Sequence, residues 1–296
     1  MRRKNSTTGI WSSAATELAM GLPFLDRERE ARRIEEALRG KASLMISGPV
    51  GIGKTALMLN VLRRLPPKLA SQCLYLPGFK DLQDMLHKLV RALYDRKDQN
   101  LRQQLHAEGV TVLSFEPWLK SLSTSRLKGT LYRAVERGDY RVFIDHPPPL
   151  THAVAKVIKE LFWMRDTPVF LLVHDTDTGR GDQFARFFYW GPRERMTMPP
   201  LSIETATELL GACIERFGLS KFDLEEFRQE VLELSGGVPG AIVNMCALAA
   251  DPRYQYGSRI KTKLVHIDYL MSGEPLKLSK RNYPNDPKPQ ITPQRD

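Results

Sequence analysis

Short apolar runs alternate with stretches of helical periodicity along most of the chain. The runs of strand length are residues 43–47, 72–77, 140–145 and 167–175. Between them lie stretches that predict helices. Residues 27–39 place Ile34, Ala37 and Leu38 on one side and stop at Gly40; residues 56–64 follow the first run. Residues 81–95 repeat Leu82, Met85, Leu86, Leu89, Val90 and Leu93, and 127–137 and 154–163 complete the set. Pro66-Pro67 breaks the chain before the second run. The polar stretch 96–108, the following Val110–Leu113 and the segment around Trp118 predict no definite element. From Ser202 the pattern is helical only: a capped helix to Phe217, one from Asp223 to Leu234, and one from the Gly236-Gly237-Val238-Pro239-Gly240 turn through Ala250. Residues 260–271 read as a strand or a helix. The predicted architecture is α/β: a mainly parallel sheet flanked by helices, with a small α-helical lid. The expected organisation is a flexible basic arm (1–21), the α/β core (22–201), the lid (202–271) and a Pro/Lys-rich tail (272–296) that is disordered until something binds it.

One stretch carries the chemistry. Gly48-Pro49-Val50-Gly51-Ile52-Gly53-Lys54-Thr55 fits G-x-x-x-x-G-K-[ST] at every fixed position and sits between a predicted strand and a helix opening at Ala56. Glycines let successive backbone N–H groups converge on one anion, and the following helix adds its positive N-terminal end. Lys54 would reach the β- and γ-phosphates, and the Thr55 hydroxyl would ligate Mg²⁺. Residues 48–56 are thus the expected nucleotide-contacting set. Tyr140–Asp145 is an apolar run closing on a carboxylate, which puts Asp145 at the crevice end of a buried strand, where it could hold the same Mg²⁺ through water.

Composition narrows the partners. Of 296 residues, 44 are Lys or Arg and 34 Asp or Glu; the formal net charge of +10 favours a polyanion such as DNA. Zinc-finger spacing, an aromatic RNA-binding box and a heptad run are absent from the sequence. The three cysteines, Cys73, Cys213 and Cys246, show neither a disulfide framework nor metal-site spacing. With no apolar run suited to a signal peptide or a membrane span, the expectation is a soluble, cytoplasmic protein without membrane contact.

Phe24–Glu30, Gly48–Thr55, Val142–Asp145, Val169–Asp175 and Gly236–Pro239 together resemble the AAA+ P-loop ATPases of the STAND and origin-recognition side. The segment before the first helix is similar to the family's "F-x-G-R-E-x-E", with Asp26 in place of the glycine, so a different local backbone is expected there. Where many of these ATPases carry the Glu that orients attacking water, this chain has His146, followed by three prolines. The resemblance makes His146 a candidate base and implies slow hydrolysis, or help from a neighbouring subunit. It implies that His174 or Asp175 senses the γ-phosphate, and that Arg193 or Arg195 serves as an arginine finger in a neighbour's site. It further implies a final strand leading into Pro200-Leu201-Ser202 and a Pro239 helix start that approaches the nucleotide. The basic loop 176–182 could meet a phosphate backbone or a neighbouring protomer.

The compact core-plus-lid plan looks similar to the transposon-associated ATP-binding proteins of bacteria. What this implies is Mg²⁺·ATP binding, ATP hydrolysis, ATP-dependent homo-oligomer assembly on DNA, and recruitment or control of a recombinase. Two other readings stay open: a STAND-type protein-recognition switch without DNA, and a hydrolysis-deficient nucleotide-binding scaffold.

Overall fold

The structure, a computed structural model, describes residues 22–148, 151–164, 167–174 and 194–272. Asp175, the 176–182 loop and Arg193 lie outside the described residues, as do the arm and the tail.

Five strands form one parallel sheet: β1 (Leu44–Ser47), β2 (Cys73–Leu76), β3 (Arg141–Ile144), β4 (Val169–Leu172) and β5 (Arg195–Thr197). Their order is β2-β3-β4-β1-β5, and every pairing is parallel. All four residues of β2, β3 and β4 are buried, as continuous apolar runs require when helices cover both faces. Phe143 and Phe170 pair across β3 and β4 and stack with ring centroids 4.7 Å apart. The final strand is only three residues long and buries Met196 alone.

Helices join the strands. Glu28–Arg39 precedes β1, Lys54–Arg64 follows it, and Leu82–Asp95, Thr124–Arg137 and His152–Trp163 come at the predicted places. Asp81, Ser123 and Thr151 cap the last three by accepting from backbone N–H groups three residues on. Met85, Leu86, Leu89, Val90 and Leu93 are fully buried, each worth roughly 1.5–3 kcal/mol of transfer free energy. The region without a sequence prediction holds two further helices, Gln99–Ala107 and Phe115–Ser121. The first is started by Asp98, which accepts from the Leu101 N–H at 2.7 Å.

The chain divides into two compact units. Among the described residues, one contains those within 28–49 and 54–198, hence the whole five-stranded sheet; the other contains 22–27, 50–53 and 199–272. The second unit is built on the helices Ile203–Arg216, Glu225–Ser235, Pro239–Ala249 and Thr262–Ser272 around their own apolar core. Of residues 260–271, ambiguous by pattern, Ile260 belongs to a two-residue strand pair, Gln255–Tyr256 with Arg259–Ile260, and the helix runs from Thr262. Ser202 caps its helix through the Thr205 N–H, as the sequence predicts. The three cysteines are free and buried. No described helix is long and apolar enough to cross a membrane.

Candidate functional site

The loop after β1 takes its shape from its glycines. Gly51 (φ 82°) and Gly53 (φ 98°) occupy the left-handed region, which side chains rarely adopt. The helix begins at Lys54, whose ammonium folds back to donate to the carbonyls of Gly48 (2.7 Å) and Pro49 (2.9 Å). Lys54 is only 5% exposed, so its charge lies against the loop instead of in solvent.

Next along the helix, the Thr55 hydroxyl donates to Asp145 Oδ2 at 2.7 Å. Because β4 lies between β1 and β3, this bond joins the helix that follows β1 to the end of a strand that is not a neighbour of β1. Asp145 is 1% exposed and accepts twice more, from the Tyr75 hydroxyl (2.7 Å, Oδ2) and from the His146 N–H (3.0 Å, Oδ1). Tyr75 comes from β2, beside β3. Burial above all, and then the Asp145 charge, drives the Tyr75 hydroxyl far above its ordinary pKa, so it remains a donor.

Two histidines occupy the space between Lys54 and Thr55. His146 sits in the left-handed region at φ 48°, with its side chain half exposed. Its Nε2 lies 3.2 Å from Thr55 Oγ1 and its Nδ1 lies 3.1 Å from His174 Nε2. His174, just beyond β4, places its Nδ1 3.2 Å from the Lys54 ammonium. Burial, with Lys54 and His146 adding to it, lowers the His174 pKa to about 4.

In the second unit, Gly237 O accepts from the Leu201 N–H (2.9 Å), and Pro239 takes the first position of its helix. The next residue makes the closest approach: Gly240 N–H donates to Gly51 O at 2.8 Å. A Cβ on Gly240 would stand 2.7 Å from Gly51 Cα. Asp26, where the family pattern has glycine, adopts φ 50°, a left-handed backbone that residues with side chains rarely take.

The structure therefore brings Lys54, Thr55, Asp145 and His146 together and adds His174 to them. Arg195 stands exposed on β5, and its carbonyl accepts from Arg33. Sequence reasoning missed Tyr75 and Gly240. Tyr75 carried no signal beyond membership of a strand; Gly240 was visible as the small residue directly after Pro239.

A parallel sheet with the G-x-x-x-x-G-K-T loop after its first strand, and a strand-end carboxylate hydrogen-bonded to the loop threonine, defines a P-loop nucleotide-binding fold. Residues 36–147, within the α/β unit, match the family model described as AAA domain. No curated protein matches the chain. Among solved structures, a Walker-type ATPase of Pyrococcus abyssi is similar at a TM-score of 0.54 and 17% identity, over 84% of this chain and 74% of that one. The Orc1 protein of Aeropyrum pernix, solved in complex with DNA, is similar at 0.53 and 17%, over 84% and 66%. Cdc6p of Pyrobaculum aerophilum is similar at 0.51 and 12%, over 78% and 63%. At these identities the likeness is one of fold, and the chain spans just under two thirds of the last two proteins' length.

Proposed function

We propose that the chain is a Mg²⁺·ATP-binding AAA+ ATPase that acts as a nucleotide-dependent switch, assembling on DNA and recruiting or regulating a protein partner such as a recombinase. The observation that carries the nucleotide part is the Thr55–Asp145 hydrogen bond beside the buried Lys54 ammonium. These residues fit the absent group. A hydroxyl and a carboxylate offer the hard oxygen donors that Mg²⁺ takes, and the space where a Gly53 Cβ would sit is open to 4 Å. Thr55 and Asp145 would hold the metal, which supplies charge neutralisation at the phosphates. Lys54 would neutralise phosphate charge, and the backbone N–H groups of residues 50–55 would orient it. His146 would stand where a proton from attacking water can go, and Arg193 or Arg195 would complete the site of a neighbouring copy. Adenine as the base comes from the family resemblance.

The DNA part rests on the +10 formal charge and on the DNA-bound Orc1 protein of A. pernix among the similar folds. Fluorescent duplex DNA is titrated at two salt concentrations with ATP, ADP or no nucleotide, beside Lys54→Ala. The expected result is salt-sensitive binding that needs ATP and disappears in Lys54→Ala. Binding indifferent to nucleotide, or absent at low salt, overturns the DNA switch. A protein-only switch is then favoured by one feature: Leu264, Ile267, Leu270 and Met271 leave an exposed apolar stripe on the Thr262–Ser272 helix.

A further inference from the structure

We propose that the groove between the helices Thr124–Arg137 and His152–Trp163 holds an unpaired base of a single-stranded nucleic acid, with Trp163 as the stacking surface and Lys156 and Lys159 as phosphate contacts. The site is separate from the phosphate loop and does not rest on the ATPase reading.

Topology sets the two sites apart. The first helix runs into β3 and the second into β4, so both end at the edge of the sheet where those strands begin. The phosphate loop follows the end of β1 and Asp145 the end of β3, at the opposite edge of the same parallel sheet.

The groove encloses about 710 Å³, a size that suits a ligand of several rings. One of its carboxylates is already satisfied. Glu160 accepts from the Tyr132 hydroxyl and pairs with Lys128 at 3.0 Å, and the Lys128 ammonium also lies 5.5 Å from the centre of the Tyr132 ring. The other charges are left unmatched. Lys156, Lys159 and Glu136 line the groove, all three are exposed, and none forms a salt bridge among the described residues. Two unmatched ammonium groups against one carboxylate make the groove cationic, so it suits an anion.

The aromatic surface selects among anions. Trp163 is 71% exposed, although so large an indole is normally well buried. A T-shaped contact with Phe162, centroids 5.6 Å apart, steadies its ring. A flat π face beside two ammonium groups matches what a nucleotide strand presents, namely a base and its phosphates. The helix also sets their order: Lys159 lies one turn, about 6 Å, before Trp163, and Lys156 about 4.5 Å further back. Cations and ring thus succeed one another at roughly the step of an extended strand. A base within a duplex has both faces covered by its neighbours, so the base that stacks here must be unpaired. Carboxylates of an acidic peptide would answer the lysines without needing the face of the ring.

The test uses the full chain without nucleotide, so that its outcome is independent of the phosphate loop. Fluorescein-labelled oligothymidylate and oligouridylate are titrated by anisotropy at several salt concentrations, beside a duplex of equal length and inorganic polyphosphate as competitor. The expected result is binding of the single strands; the tighter of the two identifies the sugar, and either supports the site. Trp163→Ala should weaken it roughly 5- to 100-fold, and Trp163→Phe should keep most of the affinity. Lys156→Gln and Lys159→Gln should each make the slope of log affinity against log salt shallower by about 0.7. Glu136→Gln should tighten binding several-fold, because it removes the one unmatched carboxylate. Unchanged affinity in Trp163→Ala, with fold retained by circular dichroism, overturns the proposal. So does equal binding of the duplex, or complete displacement by polyphosphate at matched charge, either of which would make the contact one of charge alone. Weaker binding in Glu136→Gln, or no single-strand binding at low salt, also overturns it and turns the groove into a candidate for a protein segment. ATP-dependent duplex binding can fail while these results hold, and the reverse, so the two readings are judged separately.

Discussion

Replacing Gly240 by Ala sets two effects of opposite sign against each other. In a helix, Ala is favoured over Gly by up to about 1 kcal/mol, so without a neighbour the change should stabilise. Here the new Cβ would lie 2.7 Å from Gly51 Cα and 2.9 Å from Gly51 O. Ordinary carbon contacts are near 3.5–4.0 Å, and both atoms belong to backbone that cannot rotate away. Forcing a methyl into a filled space costs roughly 1–3 kcal/mol, so the net effect should be zero to clearly destabilising. Gly211 provides the control, because it lies within the Ile203–Arg216 helix and a Cβ there meets nothing within 4 Å. Gly211→Ala should gain up to about 1 kcal/mol. The difference between the two variants isolates the clash. Urea unfolding should put Gly240→Ala roughly 1–3 kcal/mol below Gly211→Ala. Binding of a fluorescent ATP analogue should weaken in the first variant only, since Gly51 is part of the phosphate loop. Equal stabilisation of both would show that the Gly240–Gly51 approach does not exist in solution.

Other outcomes follow from the same geometry. Tyr75→Phe removes one of three donors from a buried carboxylate and should cost roughly 1.5–3 kcal/mol by chemical denaturation; no loss would mean that Asp145 does not depend on it. His174 carries a folded pKa of about 4 against an ordinary 6.5, so between those values the unfolded chain binds a proton that the folded chain refuses. Its contribution is therefore intact above about pH 6.5 and declines as the pH falls toward 4. The pH profile of stability for His174→Gln should be flatter across that window, and identical profiles would contradict the assignment. Asp26→Gly should change stability by no more than about 1 kcal/mol in either direction, since relief of the left-handed strain is offset by the greater entropy of glycine. A loss well beyond that would point to the Asp26 side chain, which accepts from Thr205 at 3.3 Å, as the important part.

What could be read from the sequence was local. The phosphate loop is eight contiguous residues, and the strand ending on Asp145 announces itself by composition, so both were legible with their chemistry. The helices at Gln99–Ala107 and Phe115–Ser121 were not. The first buries only Leu101 and Leu105, and the second only Phe115 and Leu119, too few to produce a periodic signal. The site's wiring was hidden for another reason. Tyr75 meets Asp145 across 70 positions, and His146 meets His174 across 28. Such pairs are created by strand order, which the pattern of apolar positions does not specify. Arg195 was named from its place in a family pattern, and the structure gives it only a position on β5.

That strand order has a consequence for synthesis. β1 pairs only with β4 and β5, and its Leu44 is opposite Phe170. At roughly 5–20 residues per second, the strand that bears the phosphate loop leaves the ribosome several seconds, up to about 25, before any partner for its backbone exists. Its Leu44, Met45 and Ile46 are buried at the end and must wait exposed at the start. The nascent segment most in need of protection is thus the one that carries the site, and truncations ending before residue 169 should be the species that aggregate or engage chaperones.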